Sequence, residues 1–351
     1  MTRSPRLRRA RTAALGLALT VVLAGCASNA PQDTLKPAGK YSREIDHLFK
    51  PVFLVAVVVF VLVQGLVLFS VLKFRRKKDD DDTEFPNQIH GSTKLEIGWT
   101  ILPAVILGAV AIFTIPVLFD LNSHPKDSMN VTVYAQKYWW GYQYTPQTGY
   151  GIDKEITTAN ELHIPAKTKI YLTLESKDVI HSFWAPRLNG KHDVVPGRKH
   201  TWLLEADQPG VYSGQCAEFC GTSHANMRLK VVVHDQAGWA KWVQTMETPD
   251  QKPTSGLAAE GYDLFQQKGC SGCHQIDGEY QETKAGNPPA PNLTKLFTRD
   301  CFAGCIYDLN DRNEVEAWLR NPQRKAGSLM VIGQLSEPEI DRLYAYLQTL
   351  R

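Results

Sequence analysis

An excess of charge of either sign is missing from this 351-residue chain: 39 Lys and Arg stand against 36 Asp and Glu, a net of +3. Bulk charge therefore gives no reason to expect a nucleic-acid partner. Cysteines are few and unevenly spread: Cys26, the pairs Cys216/Cys220 and Cys270/Cys273, and the pair Cys301/Cys305. Small secreted disulfide frameworks distribute theirs along the whole chain, so the close pairs point to cofactor sites first. Imidazole and thioether donors run out toward the C-terminal end. Past His234 the one histidine is His274, and past Met246 the one methionine is Met330. No internal repeat is evident.

What is present starts with apolar runs. Arg3, Arg6, Arg8, Arg9 and Arg11 precede an uncharged stretch from Thr12 to Gly25, the pattern of an export signal over residues 1–25. Leu23-Ala24-Gly25-Cys26 resembles a bacterial lipobox, with Cys26 as the lipid-bearing first residue; an ordinary signal peptide cut nearby is the alternative. After an exported segment, 26–50, the runs Pro51–Leu72 and Ile97–Phe119 each exceed the ~20 residues that cross a bilayer. This predicts a transmembrane hairpin over 51–120. Lys73, Arg75, Arg76, Lys77 and Lys78 put its loop, 73–96, in the cytoplasm by the positive-inside bias. The Asp79–Asp82 run in that loop balances those charges.

From Met129 the pattern changes. Val131–Tyr134, Lys169–Leu174 and Leu229–Val233 are strand-like, with turn signals such as Gln208-Pro-Gly210 between them. Many short strands predict an all-β sandwich over 129–245. Residues 246–258, with Pro249, Pro253, Ser255 and Gly256, suggest a flexible polar linker. Residues 259–351 are helical in pattern: Asn313–Arg320 is amphipathic before Pro322, and Ser336 with Glu339 forms a capping-box signal.

Two motifs carry chemistry. Cys216-Ala-Glu-Phe-Cys220-Gly-Thr-Ser-His224-Ala-Asn-Met227 gathers two thiols, an imidazole and a thioether, a soft donor set that selects copper over magnesium or calcium. A Cys216–Cys220 disulfide or a mononuclear site are the competing readings. His181, after an apolar strand, is the best further imidazole for a two-metal site. Cys270-Ser-Gly-Cys273-His274 is a CxxCH haem-attachment pattern; a zinc or thiol-redox site competes, but no other histidine follows the linker. Elimination leaves Met330 as the sixth ligand, since bis-His ligation is excluded within this domain and Met/His ligation suits an electron-transfer haem. Val331 stands where many small cytochromes c have Pro. For Cys301 and Cys305, a local disulfide is the simplest reading in an oxidising compartment.

Together these segments resemble subunit II of cytochrome c oxidase, over about residues 40–245, with the haem domain matching c-haem-fused (caa-type) members. The resemblance implies a cupredoxin-like sandwich with a dinuclear copper A centre bridged by Cys216 and Cys220. His181 and Met227, with His224 and the Glu218 backbone carbonyl, would complete its opposite ends, and the Glu218 side chain would face a magnesium ion shared with subunit I. It implies a class I cytochrome c domain. Glu96-Ile-Gly-Trp99-Thr-Ile-Leu-Pro103 resembles the start of the family's second membrane helix, making Glu96 a candidate for the mouth of a proton pathway. Gly190–Arg198 resembles the loop facing subunit I. Tyr138, Trp139 and Trp140 resemble the aromatic strand where electrons come in, with Tyr138 at the usual Trp position. Asp178 matches one acidic position that steers soluble cytochrome c. The implied partners are subunit I and other oxidase subunits, cytochrome c or a cytochrome bc complex as donor, and membrane lipid; the implied place is a bacterial cell membrane with both domains on the outer face. A quinol-oxidase subunit would lack the copper cysteines, a copper carrier would lack the CxxCH, and a nitrous oxide reductase would lack the hairpin.

Overall fold

The computed structural model describes residues 14–17, 30–75, 90–277 and 290–351. Cys26, Arg76–Lys78 and Asp79–Asp82 lie outside the described residues, and so does most of the signal segment.

Two long apolar helices come first: α1, Lys40–Lys73, and α2, Thr93–Leu121, with mean hydropathies of 3.1 and 2.5 over their most apolar windows. Their large side chains are exposed, from Val52 to Phe74 and from Leu95 to Phe119. In water that surface would be costly; against lipid or apolar partner helices it is the stable arrangement. Helix α1 begins eleven residues before the expected Pro51 and carries that proline inside. Its 34 residues span about 51 Å, well beyond the ~30 Å hydrocarbon core. The extra turns are polar and pack on the sandwich. Tyr41 is buried with Leu121 and Leu203, Ser42 Oγ donates to the Arg187 carbonyl at 2.8 Å, and Arg43 pairs with Asp207.

Ten strands form two five-stranded sheets. The first holds β1 (Met129–Gln136), β2 (Trp139–Tyr144), β3 (Ile156–Ala159), β5 (Ile170–Ser176) and β8 (Lys199–Leu204), in the order β3-β2-β1-β5-β8. The second holds β4 (Glu161–Pro165), β6 (His181–Trp184), β7 (His192–Val194), β9 (Gly210–Cys216) and β10 (Arg228–His234), in the order β4-β10-β9-β6-β7. Alternate residues of β1, β5 and β10 are buried, the period-2 signature of a strand with one face on a core. Val131, Val133, Leu172, Leu174, Leu229 and Val231 fill the space between the sheets with Trp140, Tyr142 and Phe183. Helix α3, Gln236–Glu247, follows β10 and was not expected from the sequence. Asp235 caps it by accepting from the Gly238 N–H at 2.7 Å, and Trp239 and Val243, one turn apart, bury its inner face. Trp242 stacks on His163, so that histidine and its neighbour His234 are packing groups.

The expected flexible linker 246–258 is shorter and more anchored than its composition suggests. Helix α3 runs to Glu247, and α4, Gly256–Gln267, starts two residues before its end. Asp250 in between pairs with Lys295 at 2.7 Å, both side chains 4% exposed. Burying one of these charges alone would be costly, so the pair fixes where the linker meets the last domain.

That domain packs α4 across α6, Glu337–Leu347, with α5, Arg312–Arg320, alongside and a small ribbon of β11, Cys301–Phe302, and β12, Tyr307–Asp308. Leu264, Phe265, Ile340, Leu343 and Leu347 form its core. The Ser336–Glu339 capping box is present, with Glu339 accepting from the Ser336 N–H at 2.8 Å. Gly261 sits where α4 meets α6, and a Cβ there would overlap the Arg342 carbonyl and lie 2.8 Å from Tyr346 Cβ. Gly261→Ala should destabilise this domain by about 1–3 kcal/mol through overpacking. The check is its thermal midpoint; an unchanged midpoint would mean the two helices separate without cost.

Candidate metal centre and haem site

Three adjacent strands deliver one cluster. Strand β9 lies between β10 and β6, so Cys216 at its end is held on both sides: its N–H donates to the Met227 carbonyl at 2.9 Å, and Phe183 of β6 is its register partner. His181 opens β6, and Met227 immediately precedes β10. The loop between them turns back through Gly221, at φ +125°, and a short 3₁₀ turn from His224 to Asn226. The His224 N–H donates to the Gly221 carbonyl at 3.0 Å, which brings the imidazole over Cys220.

The donor atoms converge. Cys216 Sγ and Cys220 Sγ are 3.9 Å apart, His181 Nδ1 is 3.8 Å from Cys216, His224 Nδ1 is 3.7 Å from Cys220, and Met227 Sδ is 3.9 Å from Cys220. The Glu218 carbonyl accepts from Cys216 Sγ at 3.2 Å, while the Glu218 side chain is exposed. Ligands each about 2.0–2.3 Å from one tetrahedral first-row ion are about 3.5 Å apart. The spacings therefore fit ligands that share metal ions, and both cysteines are free thiols, not a disulfide. His181 and Met227 are 0% exposed, Cys216 2% and Cys220 5%, so the sulfurs are shielded from solvent oxidants. The hydrogen bond with Cys220 pulls the Cys216 thiol well below its ordinary value, with His181 assisting; the same contact pushes Cys220 up. Without cationic charge between them, one of the two keeps its proton.

Asp178, matched by resemblance to an acidic surface position, is half-buried and also binds inward. Its carboxylate accepts from His181 Nε2 at 2.7 Å and from the N–H groups of Lys137 and Val179 at 2.8 and 2.7 Å. Burial would lower the His181 pKa, but the bond to Asp178 carries it above its ordinary value. Asp178 thus commits Nε2 and leaves Nδ1 facing Cys216. The three-residue spacing from Asp178 to His181 was the available signal.

Of the aromatic run, Trp139 and Trp140 are buried, and Trp140 meets the His181 ring edge-on at 6.2 Å. Tyr138 is half-buried beside Gly221. Glu96 is on the first turn of α2, exposed, at the opposite end of a helix about 43 Å long from the sandwich.

In the last domain, Cys270–Gly272 forms a 3₁₀ turn after Gly269, at φ +72°, and Cys270 and Cys273 are free thiols. His274 Nδ1 donates to the Pro291 carbonyl at 2.8 Å, which leaves Nε2 open, and burial lowers its pKa and keeps it neutral. A neutral imidazole with one fixed N–H and two thiols three residues apart suits covalent haem attachment with an axial histidine. Met330 is half-buried on the loop before α6, its N–H donating to Ser328 Oγ and its carbonyl accepting from Gln323. The structure makes no hydrogen bond between Met330 and His274. Cys301 and Cys305 are joined to each other.

Three family models match the chain: cytochrome c oxidase subunit II, transmembrane domain, at residues 32–117; cytochrome c oxidase subunit II, periplasmic domain, at 129–234; and cytochrome c at 258–351. A cytochrome c oxidase subunit 2 of Alkalihalophilus pseudofirmus is 36% identical over 95% of this chain and 95% of its own. One from Bacillus sp. PS3 is 36% identical over 79% of this chain and 80% of its own. Among solved structures, the periplasmic domain of subunit II of cytochrome oxidase from Bradyrhizobium japonicum is 28% identical, with a TM-score of 0.32, covering 35% of this chain and 95% of that one. Asp178→Asn should weaken copper binding by about 10–100-fold by loosening the His181 ring; chelator competition measures this, and undiminished affinity would leave Asp178 without a positioning role.

Proposed function

The chain belongs to the cytochrome c oxidase subunit II family, in the form that carries a cytochrome c domain behind the periplasmic domain, and from that membership we propose that it is the electron-input subunit of a respiratory haem-copper oxidase. The matched domains imply a copper A centre and a c-type haem. When bound, these groups would supply one-electron transfer between a donor, cytochrome c or a cytochrome bc complex, and subunit I, the site proposed for oxygen reduction to water with proton pumping. The observation that carries the proposal is the convergence of His181, Cys216, Cys220, His224 and Met227 within 3.7–3.9 Å steps.

The residues divide the work. Cys216 and Cys220, buried and already close together, would hold copper as thiolates. His181, Met227, His224 and the Glu218 carbonyl would supply the remaining donors. The Glu218 carboxylate, turned outward, is available to a magnesium ion at the subunit I interface. Cys270 and Cys273 would hold the haem covalently, and His274 and Met330 are the residues that would bind its iron. Tyr138, Trp139 and Trp140 form the aromatic path beside the copper loop. Glu96 stands at the cytoplasmic end of α2, where a carboxylate can feed a proton pathway. Residues 1–25 export the chain, Cys26 anchors it to lipid, and 51–120 with its 73–96 loop, 129–245, 246–258 and 259–351 act as hairpin, copper domain, linker and haem domain in a bacterial cell membrane. Paired copper cysteines argue against a quinol oxidase.

Electron paramagnetic resonance of the oxidised chain should give a signal split by two equivalent coppers; a single-copper pattern would sink the central claim. Cys216→Ser should abolish the two-copper signal. Met330→Leu should lower the haem potential, as loss of a thioether ligand does. An unchanged potential would remove Met330 as ligand.

A further inference from the structure

The two exported domains touch along a seam centred on Tyr138, and its contacts from the last domain have no part in the electron-transfer reading. Tyr138 sits in a slot with one glycine wall from each domain. A Cβ at Gly221 of the copper loop would lie 2.5 Å from Tyr138 Oη, and one at Gly327 of the haem domain would lie 3.1 Å from Tyr138 Cε2 and 3.2 Å from Thr222 Cβ. Both glycines have positive φ, +125° and +74°. That backbone favours glycine, and its missing side chain is what lets the two chain segments close on one ring. Lys325, 6% exposed, reaches across the seam: its Nζ donates to the Tyr138 carbonyl at 3.0 Å and lies 6.0 Å from the Tyr138 ring centroid. Next to it, Ser223 Oγ, fully buried, donates to the Ala326 carbonyl.

A second contact with the copper loop adjoins the first, beside Lys325. Gly304, at φ +80°, presses on the Asn226 carbonyl so closely that any Cβ would overlap it. Gly304 is inside the loop that the Cys301–Cys305 disulfide closes, between Ala303 and Cys305, which also have positive φ. Such a closed loop has few conformations to lose on docking. Asp300, one residue before it, pairs with Lys230 of β10 at 3.4 Å.

We propose that Lys325, through the Tyr138 carbonyl, and the Cys301–Cys305 loop, through Gly304 on Asn226, form a two-point latch that holds the haem domain in one pose on the copper loop. The placement supports this. Ser223 and Asn226 alternate with the candidate ligands His224 and Met227, and Lys325–Gly327 stands three residues before Met330. A shift of either anchor therefore moves a ligand-bearing segment. Interfaces between domains of one chain are often small enough to slide. Lys325 Nζ would lie 3.2 Å from a Cβ at Gly304, so the two anchors stand side by side and act as one clamp on this part of the seam. Lys325 is a positioning residue here: it acts on Tyr138 and on the pose, not on an electron. The latch rests on the two-centre reading for its consequence alone, because the contacts exist between the two folds whatever they bind.

Hydrogen exchange of the intact oxidase, read by mass spectrometry, tests it. Lys325→Met keeps most of the apolar stem and removes the donor. It should raise exchange at least tenfold in peptides covering 137–140, 302–306 and 325–328, leave Glu337–Leu347 as in wild type, and leave haem absorbance and the copper signal in place. Lys325→Arg, which restores charge and donors, should recover protection. The pair Cys301→Ser and Cys305→Ser should expose the 302–306 and 325–328 peptides. Wild-type exchange in the Met and Ser variants would overturn the latch, as would acceleration spreading through Glu337–Leu347 or an Arg variant no better protected than Met. Absence of the haem and copper signals in wild type would instead defeat the functional reading and leave the exchange result to judge the latch.

Discussion

Two thiolates 3.9 Å apart cannot both be ionised unless cationic charge lies between them. The architecture of the exported part follows from holding that pair in place. A strand end fixes Cys216, a tight loop through Gly221 returns Cys220 toward it, and an imidazole stands beside each sulfur. The proton that the pair shares when alone is what metal binding releases, so folding prepares an electrostatic demand that copper meets. Asp178 extends the logic outward, since its hydrogen bond decides which nitrogen of His181 faces the sulfur.

The sandwich supplies rigidity for this arrangement. Cys216, His181 and the start of β10 are neighbours in one sheet, and their relative positions are set by backbone ladders, not by side-chain choice. A core packed with Trp140 and Phe183 lies directly beneath. Such a support resists rearrangement, which suits an electron carrier whose surroundings must change little between oxidation states. The polar turns of α1 and the end of α2 pack on the sandwich at Leu203 and Arg187, tying it to the membrane hairpin.

Much of this was legible in the chain. Cys216 to Met227 and Cys270 to His274 are local motifs, and local spacing is enough to state their chemistry. The hairpin was legible from composition, and the last helix from Ser336 and Glu339. Other features were hidden for identifiable reasons. Helix α3 has only Trp239 and Val243 buried within a polar sequence, so its period was weak. Helix α1 was read as starting at Pro51 because its first turns are polar; they bury one face on a distant strand. The linker was read as flexible from its composition, because the partner that anchors its Asp250, Lys295, is 45 residues away. Asp178 matched a surface position by resemblance; that its carboxylate also bonds His181 depends on how the loop before β6 folds.

The sequence by itself determined which chemistries are available: a soft two-thiol copper set, a CxxCH haem set and two apolar helices, because each depends on residue types at short spacing. The tertiary structure decided how they face one another. His181 joins the cysteines through sheet order, Tyr138 lies between glycines of two domains, and Lys325 meets a carbonyl 187 residues earlier in the chain. Such contacts arise from long-range packing, which short sequence patterns do not encode.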